Sequence, residues 1–165
     1  MITDAHKQII QRNWRLVVPI AETAADLFYR RLFELRPDYR KYFPDDMSAQ
    51  KRKLVQMLAF VVKSLEWPDE AWAEDVDPEE DLLLVVLALG KRHHELYHIP
   101  ADSYGPVGEA LLWTLQQGLG DAFTDEARAA WLHVYQLLAS TMKMGVLKTE
   151  SASVKETRYD RTARA

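Results

Sequence analysis

A chain of 165 residues is long enough for one domain with a real apolar core, and a net charge of −4 leaves no basic surface large enough to bind nucleic acid. Cysteine is absent, which removes disulfides, thiolate metal sites and iron–sulfur clusters and leaves nothing that requires an oxidising compartment, so a cytoplasmic protein is expected. The N-terminal MITDAHKQII lacks the charged-then-apolar layout of a secretory signal, and the longest apolar run, Leu82 to Leu89, is far too short to cross a membrane.

No segment alternates apolar and polar residues for long, and there are only six glycines, so an all-α fold is expected. Thr3 or Asp4 can cap a first helix running towards Val18, with Ile9, Ile10, Trp14 and Val17 on one face. Pro19 lacks an amide hydrogen and so begins or kinks a second helix, which runs to about Leu35 and ends before Pro37. A short helical turn from Asp38 to Tyr42 leads into FPDDMS, where the periodicity lapses. It returns from Ser48, where Leu54, Met57, Leu58, Val61, Val62 and Leu65 recur at three and four residues. Residues 66–81 crowd acids around Trp67, Pro68, Trp72 and Pro78 and read as a long connection, its tryptophans capping the core or meeting a partner.

A helix from about Glu79 carries LLLVVLALG into GKRHHELYHIPADSYG, which holds three of the five histidines. Another helix spans roughly Asp102 to Leu119. Thr124 can cap a last one with Trp131, Val134, Tyr135, Leu138, Thr141 and Met142 on one side. Beyond Thr149 the segment 150–165 is polar and unpatterned, and is expected to be a disordered tail behind a domain of residues 1–149.

Four residues sit oddly in a helical core. A histidine following an apolar run needs partners for its ring nitrogens, and Tyr29, inside LFYRRLF, needs an acceptor or a ligand for its phenol. Gln50 lies one helical turn before Leu54, and Phe43 follows the short turn helix. Taken singly, these read as a hydrogen-bonded core histidine, a surface-touching tyrosine, an exposed glutamine and a core aromatic. Jointly, the order Trp14, Tyr29, Pro37, Phe43, Gln50, Leu54, a histidine about forty residues on, Tyr104 and VGEALLWTLQQGLGDAFT resembles the globin family. It is most similar to bacterial single-domain globins and the haem domain of flavohaemoglobins, over residues 3 to 145.

The resemblance implies a three-over-three globin fold around haem b, in a crevice lined by Phe43, Leu54, Met57, Leu58, Ile99 and Val107. Lys53 would meet a haem propionate. Tyr29 and Gln50 would be the distal, catalytic pair, offering hydrogen bonds to oxygen, nitric oxide or carbon monoxide in place of a distal histidine. Reversible oxygen binding at a five-coordinate iron is the implied function, with nitric oxide dioxygenation or gas sensing as alternatives. At 165 residues the chain is expected to carry no flavin or nicotinamide domain, so turnover would need a separate reductase. One departure is clear: the family's proximal glutamate, expected about fifteen residues after Trp131, falls on Val146, with Glu150 a turn further on.

Which histidine the resemblance assigns to the iron depends on the direction of counting. Family members carry an aromatic at plus three, an aliphatic at plus five and a tyrosine at plus ten, and from His94 these are Tyr97, Ile99 and Tyr104. Counting from the lead-in, a leucine four residues before the ligand points through Leu89 to His93. Adjacent helical residues diverge by about 100°, so only one can face the iron. The longer downstream match assigns His94, with Tyr104 packed beside its ring. His98 is expected to be exposed or near a propionate, and His6 and His133 to be structural or solvated.

Overall fold

Thr3 sets the start of α1 (Asp4–Val17): its backbone is extended and its hydroxyl accepts the His6 amide at 3.2 Å, satisfying one of the donors a helix leaves unpaired. The computed structural model describes residues 2–65, 86, 89, 90, 93 and 103–162, with side chains as far as residue 144. Among them there is no strand, in keeping with the all-α expectation. Pro19 lies in a single 3₁₀ turn, Val18–Ile20, from which α2 (Ala21–Leu35) departs. A second 3₁₀ segment, Pro37–Tyr42, leads into α3 (Ser48–Ser64), where the Asp46 carboxylate accepts the Ser48 amide at 2.9 Å.

After the segment that carries the acidic tryptophan stretch, which lies outside the described residues, the chain is described at Val86, Leu89, Gly90 and His93, all helical. α4 (Tyr104–Leu119) ends at Gly120, whose φ of 52° is a conformation that disfavours any side chain. Thr124 then accepts the Ala127 amide at 3.2 Å and opens α5 (Asp125–Thr162). That helix continues through most of 150–165, where the sequence predicts an unpatterned tail. Once nucleated, a helix extends cheaply through residues of fair propensity such as Ala, Glu, Lys and Arg.

α2 packs most extensively on α4 and also on α3, while α1 lies along α5 and touches α3 and α4. The shared core is built from Ile10, Val17, Phe28, Leu32, Val61, Leu111, Leu115, Trp131 and Val134, at about 25 cal/mol for each Å² of apolar surface removed from water. One polar group is sealed within it. Asn13 is 1% exposed, donates its amide to the Ala122 carbonyl at 3.2 Å and accepts the Trp131 indole N–H at 3.2 Å. It thereby ties α1 both to α5 and to the turn before it, with each polar atom in the trio satisfied. No helix among the described residues is long and apolar enough to cross a membrane.

Candidate functional site

The distal candidates come together as α2 and α3 converge. Tyr29 projects from α2 at 5% exposure into a box of aromatic rings, edge-on to Phe28 at 5.0 Å and to Phe43 at 5.5 Å between centroids. Phe33 closes a third side at 6.1 Å from Tyr29 and packs edge-on against Phe43. Gln50, on the first turn of α3, hydrogen bonds to the Tyr29 side chain. Burial pushes the phenol up to about 12, and the bond with Gln50 pulls the other way. The hydroxyl therefore keeps its proton throughout the neutral range and remains a donor.

Leu54, Met57 and Leu58 follow Gln50 along α3 and pack against the core. Leu54 and Leu58 border an apolar cavity between α1, α2, α3 and α4, which Trp14, Phe28 and Leu111 also line. Lys53 is exposed, whereas the ammonium of its neighbour Lys51 is held by Asp26 at 2.5 Å. Arg40 donates to the Phe43 carbonyl at 2.9 Å, which anchors the backbone at one of the aromatics around Tyr29.

The residues predicted for the proximal side are placed chiefly by backbone approach. Val86, Leu89, Gly90 and His93 fall at zero, three, four and seven residues, one stripe of a helix, with Val86 and Gly90 buried and His93 half-buried. Gly90 lies against the α5 backbone at Met142, so a Cβ there would strike the Met142 carbonyl and Cα. His93 turns its Nδ1 onto the Leu89 carbonyl at 2.7 Å. A carbonyl only accepts, so Nδ1 donates in this bond, which orients the ring. His94, His98 and Ile99 lie outside the described residues.

Tyr104, at the first turn of α4, accepts a hydrogen bond at its backbone carbonyl from the Tyr135 hydroxyl, and Lys143 lies 5.3 Å from the Tyr104 ring centroid. Burial raises both phenols, Tyr135 further than Tyr104. Gly108 sits where a Cβ would enter the Tyr135 ring, so a side chain there would require that ring to shift. Val107 beside it is half-buried against the core. Sequence reasoning overlooked Gly90, Gly108 and Asn13 as contributors. Asn13 had a visible signal, a lone amide three residues after Ile10 and four before Val17 on the apolar face of α1.

Two donor types therefore suit a porphyrin iron: an imidazole with Nδ1 committed to a carbonyl, and a protonated phenol paired with an amide among aromatic rings. Residues 26–142 match the family model described as Globin. The chain is 32% identical to a flavohemoprotein of Halalkalibacterium halodurans over 133 residues, 81% of this chain and 30% of that protein. It is 30% identical to a flavohemoprotein of Rhizobium meliloti over 143 residues, covering 86% and 33%, so the chain spans about a third of these relatives' length. Neuroglobin-2 of Oncorhynchus mykiss is 29% identical over 153 residues, covering 89% of this chain and 94% of that protein. The chain belongs to the globin family of haem-binding, oxygen-related proteins.

Proposed function

We propose that the chain holds haem b and reversibly binds oxygen at a five-coordinate iron, with Tyr29 and Gln50 as distal donors. The observation that carries the reading is the buried, protonated Tyr29 hydroxyl paired with Gln50 inside the Phe28, Phe33 and Phe43 box. Haem, when bound, supplies an iron that takes diatomic ligands, and carbon monoxide and nitric oxide are ligands of the same class. The protein's part is to exclude water with Phe43, Leu54, Met57, Leu58, Ile99 and Val107, and to aim a hydrogen bond at a ligand that draws negative charge. Lys53, exposed beside this wall, pairs with a propionate.

For the iron ligand we favour His93 over the sequence assignment of His94. Its Nδ1 donates to the Leu89 carbonyl, which orients the ring, and it shares a stripe with buried Val86 and Gly90. Tyr104, pinned through its carbonyl by Tyr135, supports the same wall. The test is one series of visible absorption spectra of the ferric, ferrous, oxygen-equilibrated and carbon monoxide forms. A five-coordinate ferrous spectrum that changes reversibly with oxygen is expected; a chain that takes up no haem, or a ferrous form already six-coordinate, removes the reading.

A second reading, nitric oxide dioxygenation, is favoured by the likeness to flavohemoproteins together with the Tyr29 and Gln50 pair. In it, nitric oxide and oxygen become nitrate, the iron is left ferric, and a separate reductase returns the electron. Mixing the oxygen-saturated protein with nitric oxide in stopped flow, then following re-reduction by cell extract, separates the two. Nitrate formation with sustained re-reduction supports the enzyme; a ferric product that persists leaves oxygen binding.

A further inference from the structure

Where α1 packs on α5, two imidazoles that the oxygen site does not use face one another. The His6 and His133 rings lie 5.7 Å apart between centroids, with their planes at 50°. Both residues are half-buried, and Nδ1 of His6 is a buried atom with no hydrogen-bond partner among the described residues. A buried polar nitrogen left unpaired is unfavourable, and a ligand that accepts its lone pair would relieve that. Two imidazoles bound to one ion at about 2.0–2.1 Å put their ring centroids roughly 5 to 6.5 Å apart, for ligand angles between tetrahedral and linear. The observed separation falls inside that window.

We propose that His6 and His133 form a site for a divalent transition-metal ion, copper(II) or zinc(II), that clamps α1 to α5. The backbone around the pair is already set. The His6 amide is held by Thr3, and two residues before His133 the Trp131 indole is bonded to Asn13 of α1, which fixes the register of the two helices. The helices that carry the two rings are therefore already in register, and binding need not order the backbone. Neutral imidazole suits both metals, and the order of divalent affinities places copper(II) above zinc(II). Each ring gives one nitrogen, and water completes the coordination. Because an ion held between two helices binds the folded chain only, it raises the unfolding midpoint in proportion to the logarithm of its concentration.

The test uses the ferric, haem-loaded protein after treatment with a chelator. Zinc(II) or copper(II) is titrated while thermal unfolding is followed, and pulsed electron paramagnetic resonance of the copper(II) signal counts the coordinated imidazoles. The expected result is a midpoint that rises with metal, two imidazoles on copper, and at least a tenfold loss of affinity in both His6→Asn and His133→Asn, with the haem absorption spectrum unchanged. An equal midpoint rise in the His6→Asn/His133→Asn double variant overturns the proposal, because the ion would then be held by other histidines. A midpoint insensitive to metal overturns it too. The imidazole count on the unmutated protein needs no variant to fold, and a count of one is equally fatal.

Discussion

Tyr29 and His93 stand on walls of different construction. On the side of α2 and α3 the chemistry is written in side chains: a phenol, an amide and a ring of phenylalanines, each made polar or apolar by residue type. On the side of α4 and α5 it is written in backbone approach. Gly90 meets the main chain at Met142, Gly108 meets the Tyr135 ring, and Tyr135 bonds to a carbonyl rather than to a side chain. The first kind of wall tolerates a one-residue slip poorly because each group has a private partner. The second leaves the slip undecided until the packing is seen, and the two adjacent histidines are the place where that matters.

The largest effect tests that difference directly. His93→Ala is expected to abolish normal iron ligation, read as loss or displacement of the haem absorption spectrum, while His94→Ala retains it. The reverse pattern would mean that the Leu89 carbonyl orients a histidine that does not coordinate. Next in size is Tyr29→Phe, which keeps the aromatic packing and removes only the donor. Oxygen release should accelerate by one to two powers of ten, about 1.4 kcal/mol for each tenfold. An unchanged rate in stopped flow would take Tyr29 out of ligand stabilisation and leave it a packing residue.

Gly90→Ala comes third. Alanine gains up to about 1 kcal/mol of helix propensity, but its methyl group meets backbone, which cannot rotate away, and overpacking of this kind opposes folding by about 1–3 kcal/mol. A net destabilisation of about 1–2 kcal/mol is expected in denaturant unfolding, with weaker haem retention. Retention equal to that of the unmutated chain would show that the approach at Met142 does not position His93.

Two helix starts were legible because caps are local: Thr3 and Thr124 each bond to an amide within three residues. Tyr29 and Gln50 stand out only jointly, through their spacing from Phe43 and Leu54, and the structure brings the two side chains together. The proximal register rests on two competing counts, and the stripe from Val86 through Leu89 and Gly90 arrives at His93. Downstream spacing outweighed that stripe in favour of His94. Gly90 and Gly108 could not be read as contact residues, because what excludes a side chain there belongs to α5, some fifty and some thirty residues further along the chain.

The smallest effect compares the two walls through their tyrosines. Burial raises Tyr29 to about 12 and raises Tyr135 as well, while a tyrosine in the unfolded chain ionises near 10. A raised folded value means that the unfolded chain releases its proton first, so the stabilisation is whole below about pH 10 and is lost as pH rises through the folded value. For Tyr29 the loss should amount to about 1 kcal/mol by pH 11. Tyr29→Phe should therefore flatten the fall in stability between pH 10 and 12, measured by denaturant midpoints at each pH. Tyr135→Phe should flatten it over a window that extends higher, because its phenol is raised further. If Tyr29→Phe left the alkaline slope untouched while Tyr135→Phe removed it, the distal phenol would be open to solvent, and the contrast between a side-chain wall and a backbone wall would fail at its central residue.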